Sequence, residues 1–183
     1  MIEWIVLILA VIVLVVIIAM YNGFISLKTQ MENAWAQIDV QTKRRFDLIP
    51  NLVETVKGYA KHEKDTFTAV TAARSAITNA GKDTGKRMAA ENMLTGALKS
   101  LFAVAEAYPD LKANQNFLML QEELSGIEAK IAYARQFYND AVMKWNQKVQ
   151  MFPSNLLAGM FGFASKPQLE ATAEERKAVK VTF

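Results

Sequence analysis

Eighteen consecutive residues from Trp4 to Tyr21, WIVLILAVIVLVVIIAMY, carry no charge, no Gly, no Pro and no conventional polar side chain. Wound as an α-helix at ~1.5 Å per residue, they reach roughly 27 Å, close to the ~30 Å hydrocarbon core of a bilayer. Trp4 and Tyr21 stand at the two ends, where amphipathic aromatic rings settle among headgroups. A cleaved signal peptide fits poorly. No basic stretch precedes the run, the run exceeds an h-region of ~7–15 residues, and Tyr21-Asn22-Gly23-Phe24 is no small-residue cleavage box. The expectation is an uncleaved anchor over residues 1–22. Only Glu3 precedes it, whereas Lys28 follows, and Lys43, Arg44 and Arg45 lie at or beyond the edge of the window that sets topology. That bias favours an N-terminus outside and a cytoplasmic body.

Past Tyr21 the apolar residues recur in alternating steps of three and four. Met31, Trp35 and Ile38 begin one stripe, and Ile49, Leu52, Val56 and Tyr59 continue it, with Thr42 and Arg45 interrupting. A second stripe runs Phe117, Leu120, Leu124, Ile127, Ile131, Ala134, Tyr138, Ala141, Trp145 and on to Phe152, where Pro153 stops it. Between them lie two shorter helical patterns, roughly 63–79 and 85–107. A Gly-containing turn separates these two, and Tyr108-Pro109-Asp110 stops the second. No strand-like alternation of useful length appears in 22–150. The sequence therefore predicts an all-α fold. A transmembrane helix continues into an antiparallel up-down-up-down bundle of two long and two short helices over 23–151, followed by an apolar, Gly-containing segment and polar tail over 152–183.

With no cysteine and one histidine, His62, the chain lacks the means for disulfides, thiol nucleophiles, Cys/His zinc sites and two-histidine metal sites. A di-iron bundle needs two Glu-x-x-His motifs. The serines show no nucleophile-elbow or Ser-x-x-Lys context, and Gly81 and Gly85 follow no strand that could present a phosphate loop. No catalytic residue, cofactor or metal is expected. The net charge of +3 demands neither nucleic acid nor an anionic surface. Lys43-Arg44-Arg45 points around a helix with Asp39 and Asp47 one turn away and no groove-reading motif, which reads as a solvated, salt-bridged face without a nucleic-acid partner.

The string from Ala34 to Glu63, AWAQIDVQTKRRFDLIPNLVETVKGYAKHE, closely resembles the signature of the LemA family of bacterial membrane proteins. YPDLKANQNF over 108–117, ARQFYNDAV over 134–142, and Phe152-Pro with Phe161-Gly-Phe163 extend the resemblance along nearly the whole chain. Phe46 departs from it, standing where the family usually carries a polar aromatic residue such as His. The resemblance implies a single-pass protein of the bacterial inner membrane with a helical antiparallel body, and no established activity. Family members often neighbour an HtpX-type membrane metalloprotease, and a relative belongs to the magnetosome membrane set.

Pro50 removes a helix-interior donor from the carbonyl of Phe46, at a cost of ~3 kcal/mol unless neighbours compensate. Around it gather Asp39, Arg44, Arg45, Asp47 and Asn51. Arg135, Asn139 and Asn146 on the last long helix are the candidates to satisfy freed carbonyls or to pair with Asp39 and Asp47. The cluster is either a hinge or recognition site or a satisfied network that fixes helix register, the better-attested use of such groups. Residues Phe152, Leu156, Leu157, Met160, Phe161 and Phe163 form either a membrane or subunit contact or a segment folded back on its own core. The functional expectation is a non-enzymatic, membrane-anchored scaffold or adaptor in membrane organisation or envelope homeostasis. Its partners would be the lipid bilayer and further copies of itself. An accessory subunit of a membrane protease is the alternative, and a hydrolase the last.

Overall fold

A computed structural model describes residues 1–81 and 84–169. Among these described residues six helices follow one another: α1 (Ile2–Tyr59), α2 (Lys64–Ala80), α3 (Thr84–Glu106), α4 (Pro109–Lys112), α5 (Gln115–Gln150) and α6 (Ser154–Phe161). Among the described residues there is no strand, and the helices pack as an antiparallel bundle, as the two periodic stripes require. Pro50 lies inside α1, which continues unbroken past it. The proline-stopped segment at 108–110 is itself a helix start. Tyr108 is extended and Pro109 opens the single turn of α4, the position where a missing N–H costs nothing. Asn114 then caps α5, its Oδ1 accepting from the Phe117 N–H at 3.1 Å. At the end of α2, Gly81 takes φ +54°, and at the end of α6 Gly162 takes φ +69° as a left-handed cap, positive values that glycine adopts without a Cβ clash.

The chain forms two compact units, and α1 and α5 contribute to both. In the first, residues 1–38 join the described residues from Ala132 onward. Phe24, Met31, Ala141, Val142, Trp145 and Ala158 form its core, with Leu27, Tyr138, Val149 and Phe163 packed against them. Its α1 residues from Ile2 to Ile18 are exposed throughout, and the most apolar eighteen-residue window of α1 has a mean hydropathy of 3.3. By length and composition α1 can cross a membrane.

The second unit takes the α1 residues from Asp39, α2, α3, α4 and α5 as far as Ile131. Its core is built from Ile49, Leu52 and Val56 of α1, Phe67 and Val70 of α2, Leu94, Leu98 and Leu101 of α3, Leu111 of α4, and Phe117 and Leu124 of α5. The stripe positions of this unit therefore point inward, with one exception. Tyr59 is 42% exposed, and its hydroxyl accepts from the Asn114 amide at 2.9 Å.

Candidate functional site

The two residues that interrupt the first stripe, Thr42 and Arg45, are buried at 3% and 1% exposure. A guanidinium so deep must find acceptors, because an uncompensated buried charge costs several kcal/mol. Arg45 finds them on α3 and α5. Its Nη2 pairs with the Glu91 carboxylate and donates to the Glu91 carbonyl at 3.4 Å, while its Nη1 pairs with Glu128 and donates to Thr95 Oγ1 at 2.8 Å. Three helices of the second unit thus converge on one cation. Glu91 is as buried as the arginine, whereas Glu128 keeps about a third of its side chain in solvent.

One turn N-terminal to Arg45 on α1 and to Glu91 on α3, the pattern repeats near the surface. Arg87 pairs with Asp39 at 2.5 Å and donates to Thr42 Oγ1 at 3.3 Å, and Thr42 in turn donates to the Asp39 carbonyl at 3.0 Å. Arg87, Glu91 and Thr95 are spaced by four along α3, so they form a single polar row facing α1. Beside this row opens a cleft of 270 Å³ lined by Asp39, Thr42, Lys43, Phe46, Ile77, Thr78, Gly81, Arg87 and Glu91. Phe46 lines its wall, half-buried, with the Arg74 guanidinium 4.3 Å from its ring centroid. Chemically, the row pairs each buried or half-buried charge with its opposite. Among the described residues, no three His, Asp or Glu side chains are grouped to hold a metal ion.

The other sequence-nominated residues lie elsewhere. Arg44 and Asn51 are exposed, Pro50 is half-buried, and Asp47 is an exposed partner of Lys43 at 3.3 Å on the same helix. In the first unit Arg135 is half-buried. The asparagines of α5 do not serve α1 carbonyls or Asp39 and Asp47, as the sequence reading expected. Asn139 exchanges two hydrogen bonds with the backbone of Leu169 (2.9 and 2.8 Å), and Asn146 does the same with Lys166 (both 2.8 Å). With Trp145 Nε1 donating to the Ala164 carbonyl at 2.8 Å, they strap the segment after α6 along α5. An Asn side chain presents an N–H donor beside a C=O acceptor in one plane, as a peptide does, so two of them one heptad apart can dock an extended chain.

The apolar segment divides by face. Leu157 is 6% exposed and Phe163 is half-buried against the unit's own core, so neither is placed for an outside contact. Phe152, Leu156, Met160 and Phe161 are exposed. Phe163 closes an aromatic cluster with Phe24 at 4.8 Å and Trp145 at 5.3 Å, and Tyr21 lies 4.9 Å from Phe161.

Glu91, Arg87 and Thr95 are the residues of the row that the two long stripes do not reveal. A signal existed for the first. Glu91, Leu94, Leu98, Leu101 and Ala105 follow steps of three and four, which puts a carboxylate on an apolar seam, and such a group requires a buried cation.

The sequence model of the LemA family matches residues 34–183. The chain is 26% identical to Protein LemA of Metamycoplasma hominis over 149 residues, covering 81% of this chain and 68% of that protein. It is 25% identical to Magnetosome protein MamQ 2 of Paramagnetospirillum magneticum and 23% identical to Magnetosome protein MamQ of Magnetospirillum gryphiswaldense. Each of those two alignments covers 78% of this chain and 62% of the relative, so the chain spans under two thirds of the MamQ proteins.

Proposed function

We propose that this chain, which belongs to the LemA family, is a membrane-anchored helical scaffold of the bacterial inner membrane, acting by assembly with further copies of itself and without turnover. The observation that carries the reading is that a single helix, Ile2–Tyr59, bears both the exposed apolar run and one wall of a packed bundle. A helix built so cannot leave its first eighteen apolar residues in water, and a bilayer is the solvent that satisfies them. The polar interior supports the non-catalytic part of the reading. Arg45, Glu91 and Glu128 are committed to one another across three helices, as register-fixing groups are, instead of being poised around an empty reactive centre. Lys28 after the run and Glu3 before it favour a cytoplasmic body. The role assigned is membrane organisation or envelope homeostasis.

The test is a subunit count by particle imaging on full-length protein gently extracted from native membrane without fixation. A discrete closed assembly of one chain type supports the scaffold. Monodisperse single copies overturn it, and a stoichiometric membrane protease in the particles replaces it with an accessory-subunit role. Periplasmic and cytoplasmic reporters fused after residue 183 decide the orientation.

A further inference from the structure

α6 has two apolar faces, and the protein covers one of them. Ser154, Leu157 and Ala158 are buried, Ala158 within the first unit's core, while Phe152 just before the helix, Leu156 and Met160 follow at steps of four and are 77%, 60% and 79% exposed. No charged residue occurs in Ser154–Phe161. An exposed apolar face on a helix without charges marks a contact. Its place in the unit says with what. The Phe161 ring lies 4.9 Å from Tyr21 and the Phe163 ring 6.2 Å from it, and Tyr21 is the residue at which the exposed apolar run of α1 ends.

We propose that α6 is a second membrane contact: its outer face, carrying Phe152, Leu156, Met160 and Phe161, lies in the boundary between headgroups and acyl chains of the leaflet that Tyr21 reaches. This inference rests on the membrane-spanning reading of α1. An interfacial helix of this kind calls for cations at headgroup level. The sequence around α6 offers only Lys166, but folding brings a second. The Lys148 ammonium lies 5.0 Å from the Phe24 ring centroid and packs against Gly23, where any Cβ would collide with it. Among the described residues it faces no carboxylate, and partial burial lowers its pKa below the usual lysine value. Lys166, its ammonium 5.4 Å from the Trp145 ring centroid, is the other. A lipid phosphate can supply a counter-charge to these ammonium groups, and acyl chains cover the rings beside them.

Because the chain has no cysteine, single spin labels report each position without further engineering. Labels at Leu156→Cys and Met160→Cys, with Val11→Cys as the deep reference and Ser100→Cys as the aqueous one, would be read in full-length protein. The protein would be placed in bilayer nanodiscs of phosphatidylethanolamine and phosphatidylglycerol. Relaxation by oxygen over a water-soluble nickel chelate should be several-fold higher at 156 and 160 than at 100, and highest at 11. Ratios at 156 and 160 equal to that at 100 overturn the proposal. Exclusion of both relaxants with dipolar broadening also overturns it and identifies a second copy as the occupant. An aqueous ratio at position 11 refutes the spanning reading itself, so the two failures are distinguishable.

Discussion

Replacing Arg45 with methionine leaves a side chain of similar length at the centre of the second unit but removes the charge that Glu91 and Glu128 share. Glu91 keeps only 4% of its side-chain surface in solvent, so it cannot recover hydration without opening the bundle. Breaking a buried pair from one side costs about 3–5 kcal/mol, because the remaining charge stays desolvated and alone. At roughly 2–4 °C per kcal/mol for a chain of this size, the helical melt followed at 222 nm in mild detergent should fall by roughly 6–20 °C. The informative control is Arg45→Met combined with Glu91→Leu and Glu128→Leu. Exchanging a whole buried ionic group for apolar residues is often neutral or stabilises by about 1–4 kcal/mol, so the triple variant should melt at or above the parent. If the single and triple variants fall equally, the loss comes from packing volume and not from an orphaned carboxylate, and the assignment of the row as a charge-compensated lock is wrong. A single variant within about 1 kcal/mol of the parent refutes it equally, since a cost that small belongs to exposed ion pairs.

Three further outcomes are expected. Asn146→Ala should speed amide exchange at Lys166 and Asn139→Ala at Leu169, each removing two hydrogen bonds worth about 1–2 kcal/mol together; unchanged exchange by mass spectrometry would mean the strap is held by Trp145 and Phe163 alone. Within α6, Gly162→Ala should destabilise by roughly 1–2 kcal/mol, since φ there is +69°, whereas Gly159→Ala, with open space around its Cβ, should stabilise by about 0.5–1 kcal/mol, and melts of the same sign for both would contradict the cap. Burial raises the Tyr138 pKa above 10.0, so above pH 10 the unfolded chain gives up a proton that the folded chain keeps. Stability is therefore intact below that pH and declines as pH rises. Tyr138→Phe keeps the edge-on contact with Trp35, 5.8 Å between centroids, and should flatten that alkaline decline in a melt-versus-pH series.

The helices were legible because their information is periodic and local. Steps of three and four located α1, α2, α3 and α5 within about a turn, and Pro109, Pro153 and Gly81 marked where each pattern had to yield. The turn of α4 was not legible. Tyr108-Pro109-Asp110 reads as a stop, and only the burial of Leu111 on the second unit's core makes a helical turn worthwhile there. The docked segment 163–169 escaped for a similar reason: it has no periodicity of its own, and its conformation is imposed by asparagine amides from α5.

The site was half legible, and the missing half follows a rule. Arg45 and Thr42 stand out as polar residues on an apolar stripe, but the run Lys43-Arg44-Arg45 with Asp39 and Asp47 one turn away reads as a solvated, salt-bridged face, whereas the fold leaves Arg44 exposed and buries Arg45. Burial of a cation demands a buried anion, which places its partners on the other stripes, at positions where a carboxylate occupies an inward step. Glu91 is such a position on α3, and Glu128 flanks Ile127 on the second stripe, close enough to the seam to reach in while a third of it stays wet. Two polar intruders on separate apolar stripes thus identify each other as partners, and that pairing fixes how far one helix is shifted along the other. Apolar seams repeat every turn and tolerate such a shift, whereas a single buried arginine with its carboxylates does not.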